Sequence, residues 1–363
     1  MPPEVSRAVV GVVGAGTMGA GIAQLALEHG HEVVLHDIDE AAIDRGRERV
    51  REGLARRAAK LDLDADSLDD WVEGRLVGLR QAETIGLLAE QSDVVIEAAL
   101  EDLGLKREIF RALDSAAPPD AILATNTSAL SVSAIAEVVA RRERIVGLHF
   151  FNPAPVMKLV EVVAGARTDP AVADRAAELV SSWDRTPVRS ADSPGFIVNR
   201  VNRPYTIEAF RMLEAGEAAI EAIDDAMRED GYPMGPFELI DLAGVDVNLA
   251  AARGVWEGLG RPERLRPSVI QERLVAERRL GRKTGEGFYC YEAGRRGSVA
   301  APFGEAHGDL SRESIRGRIL AAIDAEARFA ADEDVATEAD IDLALRLGAG
   351  HPMGPFERAN RPR

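Results

Sequence analysis

The sequence predicts an α/β N-terminal part built on a doubly wound sheet, followed by an all-α C-terminal part that carries a partial second copy of its own helical module. Three observations carry that prediction. Residues 8–36 read as strand, glycine turn, helix and strand; strand-like and helix-like segments keep alternating to about residue 190; and from Pro194 onward the periodicity is almost wholly helical, with one stretch repeated.

The first unit is "AVVGVVGAGTMGAGIAQLALEHGHEVVLHDID". Residues 8–13 are apolar and largely β-branched, residues 17–29 have helical spacing, and residues 32–36 return to a strand pattern. Gly14, Gly16 and Gly19, with Thr17 and Met18 among them, fall where the first strand becomes a helix. Each glycine has a mechanical reason: a tight turn, close backbone approach to a pyrophosphate, and close helix–strand packing, with the helix N-terminus facing the negative charge. Asp37 closes the second strand, where a carboxylate can accept hydrogen bonds from a ribose diol. Ile38 and Asp39 follow it with no adjacent arginine, so a 2′-phosphate would be repelled. The unit is therefore read as a Rossmann-type site for NAD rather than NADP.

Further strands are expected at 93–99, 121–128, 144–151 and 158–165, with helical segments between them. "DSPGFIVNRVNRPYTIEAFRMLEAG" should start a long helix, with an Asp/Ser cap and a proline in its first turn. "AIDDAMREDGYPMGPFELID" (222–241) recurs as "DIDLALRLGAGHPMGPFERAN" (340–360), each copy after an amphipathic segment. The domain reading is thus 1–190 nucleotide-binding, 191–292 helical, 293–310 a linker rich in glycine and small residues, and 311–363 a partial second module. A half module cannot close a core alone, so it should dock on the first module or on a neighbouring subunit.

With 363 residues and 46% hydrophobic content, the chain can bury two or three cores. Its net charge of −17 disfavours general binding to nucleic acid or to an anionic membrane. The single cysteine, Cys290, cannot form an internal disulfide, and the N-terminus lacks the apolar region and cleavage site of a signal peptide. No apolar run is long enough to span a bilayer, so a reducing cytoplasm is the expected home. No metal-ligating set is read.

"GLHFFNPAPVMKLVEVV" (147–163) sets His149 in one apolar run and Glu161 in the next. Oxidising a secondary alcohol requires a base at the hydroxyl proton while a hydride leaves the same carbon, and histidine suits that task. An imidazole in an apolar setting resists charging, and a carboxylate on its other nitrogen fixes the tautomer and stabilises the imidazolium. Two neighbouring strands would bring the pair together. His29, His31, His36, His307 and His351 lack such a partner pattern and are read as structural or solvent-facing.

Taken together, "GAGTMGAGIAQ", "EAALEDLGLKREIF", "TNTSALSV", "GLHFFNPAPVMKLVEVV", "DSPGFIVNRV", "GYPMGPFELIDLAG" and "GRKTGEGFYCYE" resemble the L-3-hydroxyacyl-CoA dehydrogenase family, in order and spacing, over residues 7–292. The resemblance implies an acyl-CoA substrate, most simply a short one such as 3-hydroxybutyryl-CoA, and a homodimer formed through the helical domain. It also implies roles for particular residues. Ser128 would contact the reacting substrate close to the nicotinamide, and Asn199 would be a second polar contact near the reacting oxygens. Glu101, Lys106 and Asn152 match cofactor-contacting positions, although Glu101 and Lys106 as bare residues read as a solvated charge pair. Residues 41–60 carry a local net charge of +4, and Lys60 matches a contact to CoA. Gly53 departs from the pattern, since a serine contact to CoA is expected there. Two alternatives stay open: a dehydrogenase of free hydroxy acids on the same scaffold, and a catalytically silent dinucleotide-binding sensor or structural protein.

Overall fold

The computed structural model describes residues 7–61, 64–303 and 308–361. It divides into two compact units, Met1–Asp192 and Ser193–Arg363.

The first unit alternates β1 (Val9–Val13), α1 (Thr17–Glu28), β2 (Glu32–His36), α2 (Glu40–Ala58), α3 (Ala65–Leu76), β3 (Leu79–Gln81), α4 (Ile85–Glu90), β4 (Val94–Glu97), α5 (Leu103–Ala116), β5 (Ile122–Thr125), α6 (Val132–Ala136), β6 (Ile145–Phe150), β7 (Leu159–Ala164), α7 (Pro170–Ser182) and β8 (Thr186–Ala191). These strands form one eight-stranded sheet in the order β3-β2-β1-β4-β5-β6-β7-β8. All neighbours run parallel except β6 and β7. The order reverses between β1 and β4, which opens a crevice beyond their carboxyl ends, and the glycine turn and Glu97 both lie there. Valines and leucines of β1, β2 and β4 pack against Ile22, Leu25 and Leu27 of α1, all nearly free of solvent contact.

Two strands of this unit escaped the sequence reading. β3 has only three residues, and β8, "TPVRSA", is a sheet edge whose Pro187 and Arg189 break the apolar pattern. The expected long helix after Asp192 is also different. It begins as a short α8 (Val198–Val201), breaks at Asn202 and restarts as α9 (Arg203–Glu214), with Pro204 in the first turn of α9, where its missing N–H costs nothing. Asp192 caps elsewhere: its carboxylate accepts from the amides of Val132 and Ser133 and from the Ser131 hydroxyl, at the start of α6.

The second unit continues with α10 (Ile220–Glu229), α11 (Pro236–Ala243), α12 (Val245–Gly258), α13 (Val269–Ala276), a hairpin of β9 (Tyr289–Glu292) and β10 (Arg295–Val299), then α14 (Arg312–Asp332), α15 (Glu338–Gly348) and α16 (Pro355–Ala359). The stretch expected to be a linker thus contains a paired strand. Helix α14 lies against α8, α9 and α10, so the second copy rests on the first within this unit. Arg200 in α8 is fully buried there; its Nε donates to Glu326 of α14 at 2.8 Å and its Nη1 to Glu333 at 2.7 Å.

Candidate active site

The glycine turn is built as its sequence requires. Gly14 has φ +101°, and a Cβ there would lie 2.6 Å from the Ala98 carbonyl oxygen. A Cβ on Gly19 would lie 1.8 Å from the Gly14 carbonyl oxygen, so α1 can approach the turn this closely only without a side chain. At exposed Gly16 a Cβ would meet nothing within 4 Å, which leaves open space beside the backbone. Thr17 is exposed and Met18 half-buried against the core. Among the described residues no side chain caps α1 and no carboxylate sits in its first turn, so its amides can receive an anion. Asp37 is fixed from both sides: Ala15 N donates to Oδ2 at 2.8 Å and Asp39 N to Oδ1 at 3.1 Å. This cradle fits the pyrophosphate and ribose of a dinucleotide. Ile38 stands 99% exposed beside Asp37, an apolar face suited to a flat base that the sequence reading used only for its lack of charge.

In the antiparallel pairing of β6 and β7, His149 stands directly opposite Glu161. Both are buried, and the His149 Nδ1 to Glu161 Oε2 distance is 2.6 Å. A carboxylate at that nitrogen accepts its proton, so Nδ1–H is the donor and Nε2 is the basic nitrogen. The imidazole packs on Phe151, with ring centroids 4.5 Å apart.

A second cluster organises Ser128. Lys106, buried on α5, donates to Glu97 Oε1 at 2.6 Å and pairs with Glu101 at 3.4 Å. It is therefore no member of a solvated charge pair. Glu101 accepts from the Thr127 hydroxyl at 2.6 Å, from the amides of Ser128 and Ala129, and from the Ser128 hydroxyl at 3.4 Å. Burial pushes the Glu101 carboxyl up, but these donors and the Lys106 ammonium outweigh it and hold the group below its ordinary range. Glu97, fully buried, also accepts from Thr125 Oγ1 at 2.7 Å and from Ala99 N at 2.7 Å. The sequence reading missed Glu97; the signal was a carboxylate ending the apolar strand "DVVIE". Asn152 is exposed in the turn between β6 and β7.

Along α2 and just past its end the basic residues divide. Arg45, Arg51, Arg56 and Arg57 are paired with Asp39, Glu73, Glu52 and Glu28, whereas Arg47 and Lys60 have no partner among the described residues. Gly53 faces inward, where a Cβ would lie 1.9 Å from Gln24 Oε1. A side chain there would meet only the amide end of the flexible Gln24 side chain. Asn199 belongs to the second unit, half-buried on α8, and its carbonyl accepts from Arg203 Nε at 3.2 Å. Of the remaining histidines, His29 and His36 hydrogen-bond main-chain carbonyls, His31 accepts from Ala8 N, and His351 is buried; His307 lies outside the described residues.

The family models agree with this architecture. Residues 9–193 match the NAD binding domain of 3-hydroxyacyl-CoA dehydrogenase, and residues 195–291 and again 315–361 match its C-terminal domain. The chain is 45% identical over 291 residues to the 3-hydroxyadipyl-CoA dehydrogenase of Escherichia coli K12, a match spanning 80% of this chain and 60% of that relative. It is 42% identical over 285 residues to the mitochondrial hydroxyacyl-coenzyme A dehydrogenase of Rattus norvegicus, covering 78% of this chain and 91% of that one. A crystal structure of 3-hydroxybutyryl-CoA dehydrogenase from Escherichia coli superposes with a TM-score of 0.88 at 36% identity, over 97% of this chain and 91% of the other. The protein belongs to the 3-hydroxyacyl-CoA dehydrogenase family, and as such it is an NAD-dependent dehydrogenase. Among the described residues no helix is long and apolar enough to cross a membrane.

Proposed function

We propose that the protein interconverts L-3-hydroxyacyl-CoA and 3-oxoacyl-CoA in the cytoplasm, with His149 as general base and a short acyl chain such as 3-hydroxybutyryl as substrate. The observation that carries this reading is the buried hydrogen bond between His149 and Glu161. When bound, NAD supplies the acceptor for the hydride that leaves C3. His149 Nε2 takes the 3-hydroxyl proton and returns it in the reverse direction. Glu161 keeps the imidazole in the tautomer that presents Nε2 and stabilises it once charged. Ser128, held in place by Glu101, and Asn199 orient the substrate oxygens. Asp37 and the glycine turn hold the cofactor, and Glu101, Lys106 and Asn152 shape the rest of its site. Arg47 on α2 and Lys60 just past its end, both without a partner among the described residues, meet the phosphates of CoA. Gly53 itself offers no side-chain hydrogen bond to CoA.

Relatives named for a four-carbon and for a six-carbon dicarboxylic acyl group bracket the short-chain reading. A homodimer through the helical unit is part of the reading too; α14 already covers α9 and α10, so a partner must use another face.

The deciding experiment is oxidation of NADH and of NADPH with acetoacetyl-CoA beside free acetoacetate. The expected result is turnover of the thioester with NADH alone, because Asp37 sets a carboxylate against a 2′-phosphate. Equal turnover of the free acid would replace the CoA reading, and equal kcat/KM with NADPH would remove the ribose assignment.

A further inference from the structure

The sheet order says which strands lie under the reacting end of the cofactor. On the reading above, Asp37 just past β2 and the glycine turn at the end of β1 hold the adenosine side, while His149 stands near the carboxyl end of β6, on the same edge of the sheet. A hydride and a proton leave one carbinol group together, so the nicotinamide ring has to lie between the turn and His149. The strands between them are β4 and β5, whose last residues are Glu97 and Thr125. These two ends carry a closed hydrogen-bonded ring. Glu97 accepts from Lys106 Nζ at 2.6 Å, from Thr125 Oγ1 at 2.7 Å and from Ala99 N at 2.7 Å. Thr125 Oγ1 accepts the amide of Thr127 at 3.3 Å, and the Thr127 hydroxyl donates to Glu101, which meets Lys106 again at 3.4 Å. Every group that reaches Glu97 is a donor, which is what a carboxylate requires.

The ring thus holds two carboxylates and one ammonium. Among the described residues Lys106 is the one cation paired with either acid, and it lies 2.6 Å from Glu97 against 3.4 Å from Glu101. The buried acid claims it. Glu101, whose side chain is 38% exposed where those of Glu97 and Lys106 are 0% and 1%, keeps the uncompensated charge on the side open to solvent, beside Ser128. Burial pushes the Glu101 carboxyl up, but the Thr127 hydroxyl, Lys106 and the amides of Ser128 and Ala129 hold it below its ordinary range, so the charge stays. Neutral donors steady an anion without cancelling it. The nicotinamide of NAD is a cation and the dihydronicotinamide of NADH is neutral, so an anion close to the ring separates the two forms. We propose that Glu97 is a positioning residue for the cofactor: by claiming the Lys106 ammonium it leaves one negative charge at Glu101, and that charge raises the affinity for NAD relative to NADH. This inference rests on the placement of the cofactor given above.

The test is the ratio Kd(NAD)/Kd(NADH), measured by calorimetry on the whole chain at neutral pH, because a contact shared by both forms cancels in it. Glu97→Gln frees Lys106 for Glu101 and should raise the ratio roughly tenfold, the lower end of what a charge within a few ångströms does, since Glu101 is partly open to water. Glu97→Asp keeps the charge and should leave the ratio within about twofold of the wild-type value, even where both affinities fall. Glu101→Gln removes the same charge at an exposed position and should raise the ratio too, which keeps the test in hand if the buried variant does not fold. An unmoved ratio in folded Glu97→Gln, or in Glu101→Gln, overturns the proposal. So does an equal rise in Glu97→Asp, which would make the role one of shape. Asp37→Ala, at the other end of the cofactor, should weaken both forms alike; if it weakens neither, the placement of the cofactor is wrong, and this inference falls with it.

Discussion

The two copies of the helical module obey one local rule and differ in what surrounds it. In the first, Asp224 accepts from the amides of Phe237 and Glu238; in the second, Asp342 accepts from those of Phe356 and Glu357. Glu238 and Glu357 reach back to the amides of Gly235 and Gly354, each at 3.0 Å. A Cβ on either glycine would lie 2.3 Å from the aspartate it faces. The repeated "PMGPFE" is thus a helix start whose donors are all answered by two carboxylates, with glycine required by the aspartate packed on it. The surroundings then diverge. Tyr289 donates a further bond to Asp224, which burial pushes up to about 7, while among the described residues no tyrosine reaches Asp342. Packing was kept in both copies, but the segment with Asn199 and Arg203 stands before the first alone. What the second copy contributes is α14, which covers α9 and clamps Arg200, the neighbour of Asn199.

Removing residues 297–363 breaks that division most severely. It uncovers the faces of α9 and α10 and leaves Arg200 without Glu326 and Glu333, while the residues assigned to chemistry stay in place. The melting temperature should fall by at least about 10 °C, or the chain should self-associate, as read by thermal melts and size-exclusion chromatography with light scattering. Unchanged assembly and melting would show that the second module is dispensable to the first.

A narrower break is Glu326→Gln, set beside Glu333→Gln. Both carboxylates hold Arg200, but Glu326 is 1% exposed and Glu333 is 48% exposed. Losing the buried partner should cost about 3–5 kcal/mol in urea unfolding, whereas losing the exposed one should cost about 0–1 kcal/mol. Equal losses would mean that burial does not set the strength of this clamp.

The smallest effect concerns the position where the copies differ in residue type, Tyr232 against His351. The Tyr232 hydroxyl lies 3.3 Å from His351 Nδ1, and Nε2–H donates to Asn202 Oδ1 at 2.8 Å. Burial, helped by the nearby Arg358 charge, lowers the imidazole from 6.5 to about 3. Below pH 6.5 the unfolded chain takes a proton that the folded chain refuses until about pH 3, so stability is complete above that window and is lost as pH falls through it. The loss should approach about 1 kcal/mol per pH unit, and His351→Gln should flatten that slope in melts from pH 7 to 4. A variant with the wild-type slope would assign the acid sensitivity to other groups.

Much of this was legible in the sequence because the physical demand was local. Gly14, Gly19 and Asp37 report backbone and charge requirements of one turn, and His149 and Glu161 stand out as ionisable groups in apolar runs. Hidden features depended on distant partners. Lys106 looked solvated because Glu97, its closest partner, is nine residues away on another element. Strand β8 and the break at Asn202 were set by an edge position and by Pro204, where sheet context and ring geometry override periodicity.

The central claim is that the pair on β6 and β7 carries the proton while the cofactor is bound elsewhere. Its most direct test is His149→Ala, with NADH binding followed by fluorescence titration and turnover followed with acetoacetyl-CoA. Turnover should fall by roughly 10²- to 10⁴-fold, and the Kd for NADH should stay within about threefold of the wild-type value. A variant that retains near-normal turnover, or one that loses NADH binding in step with activity, would contradict the account.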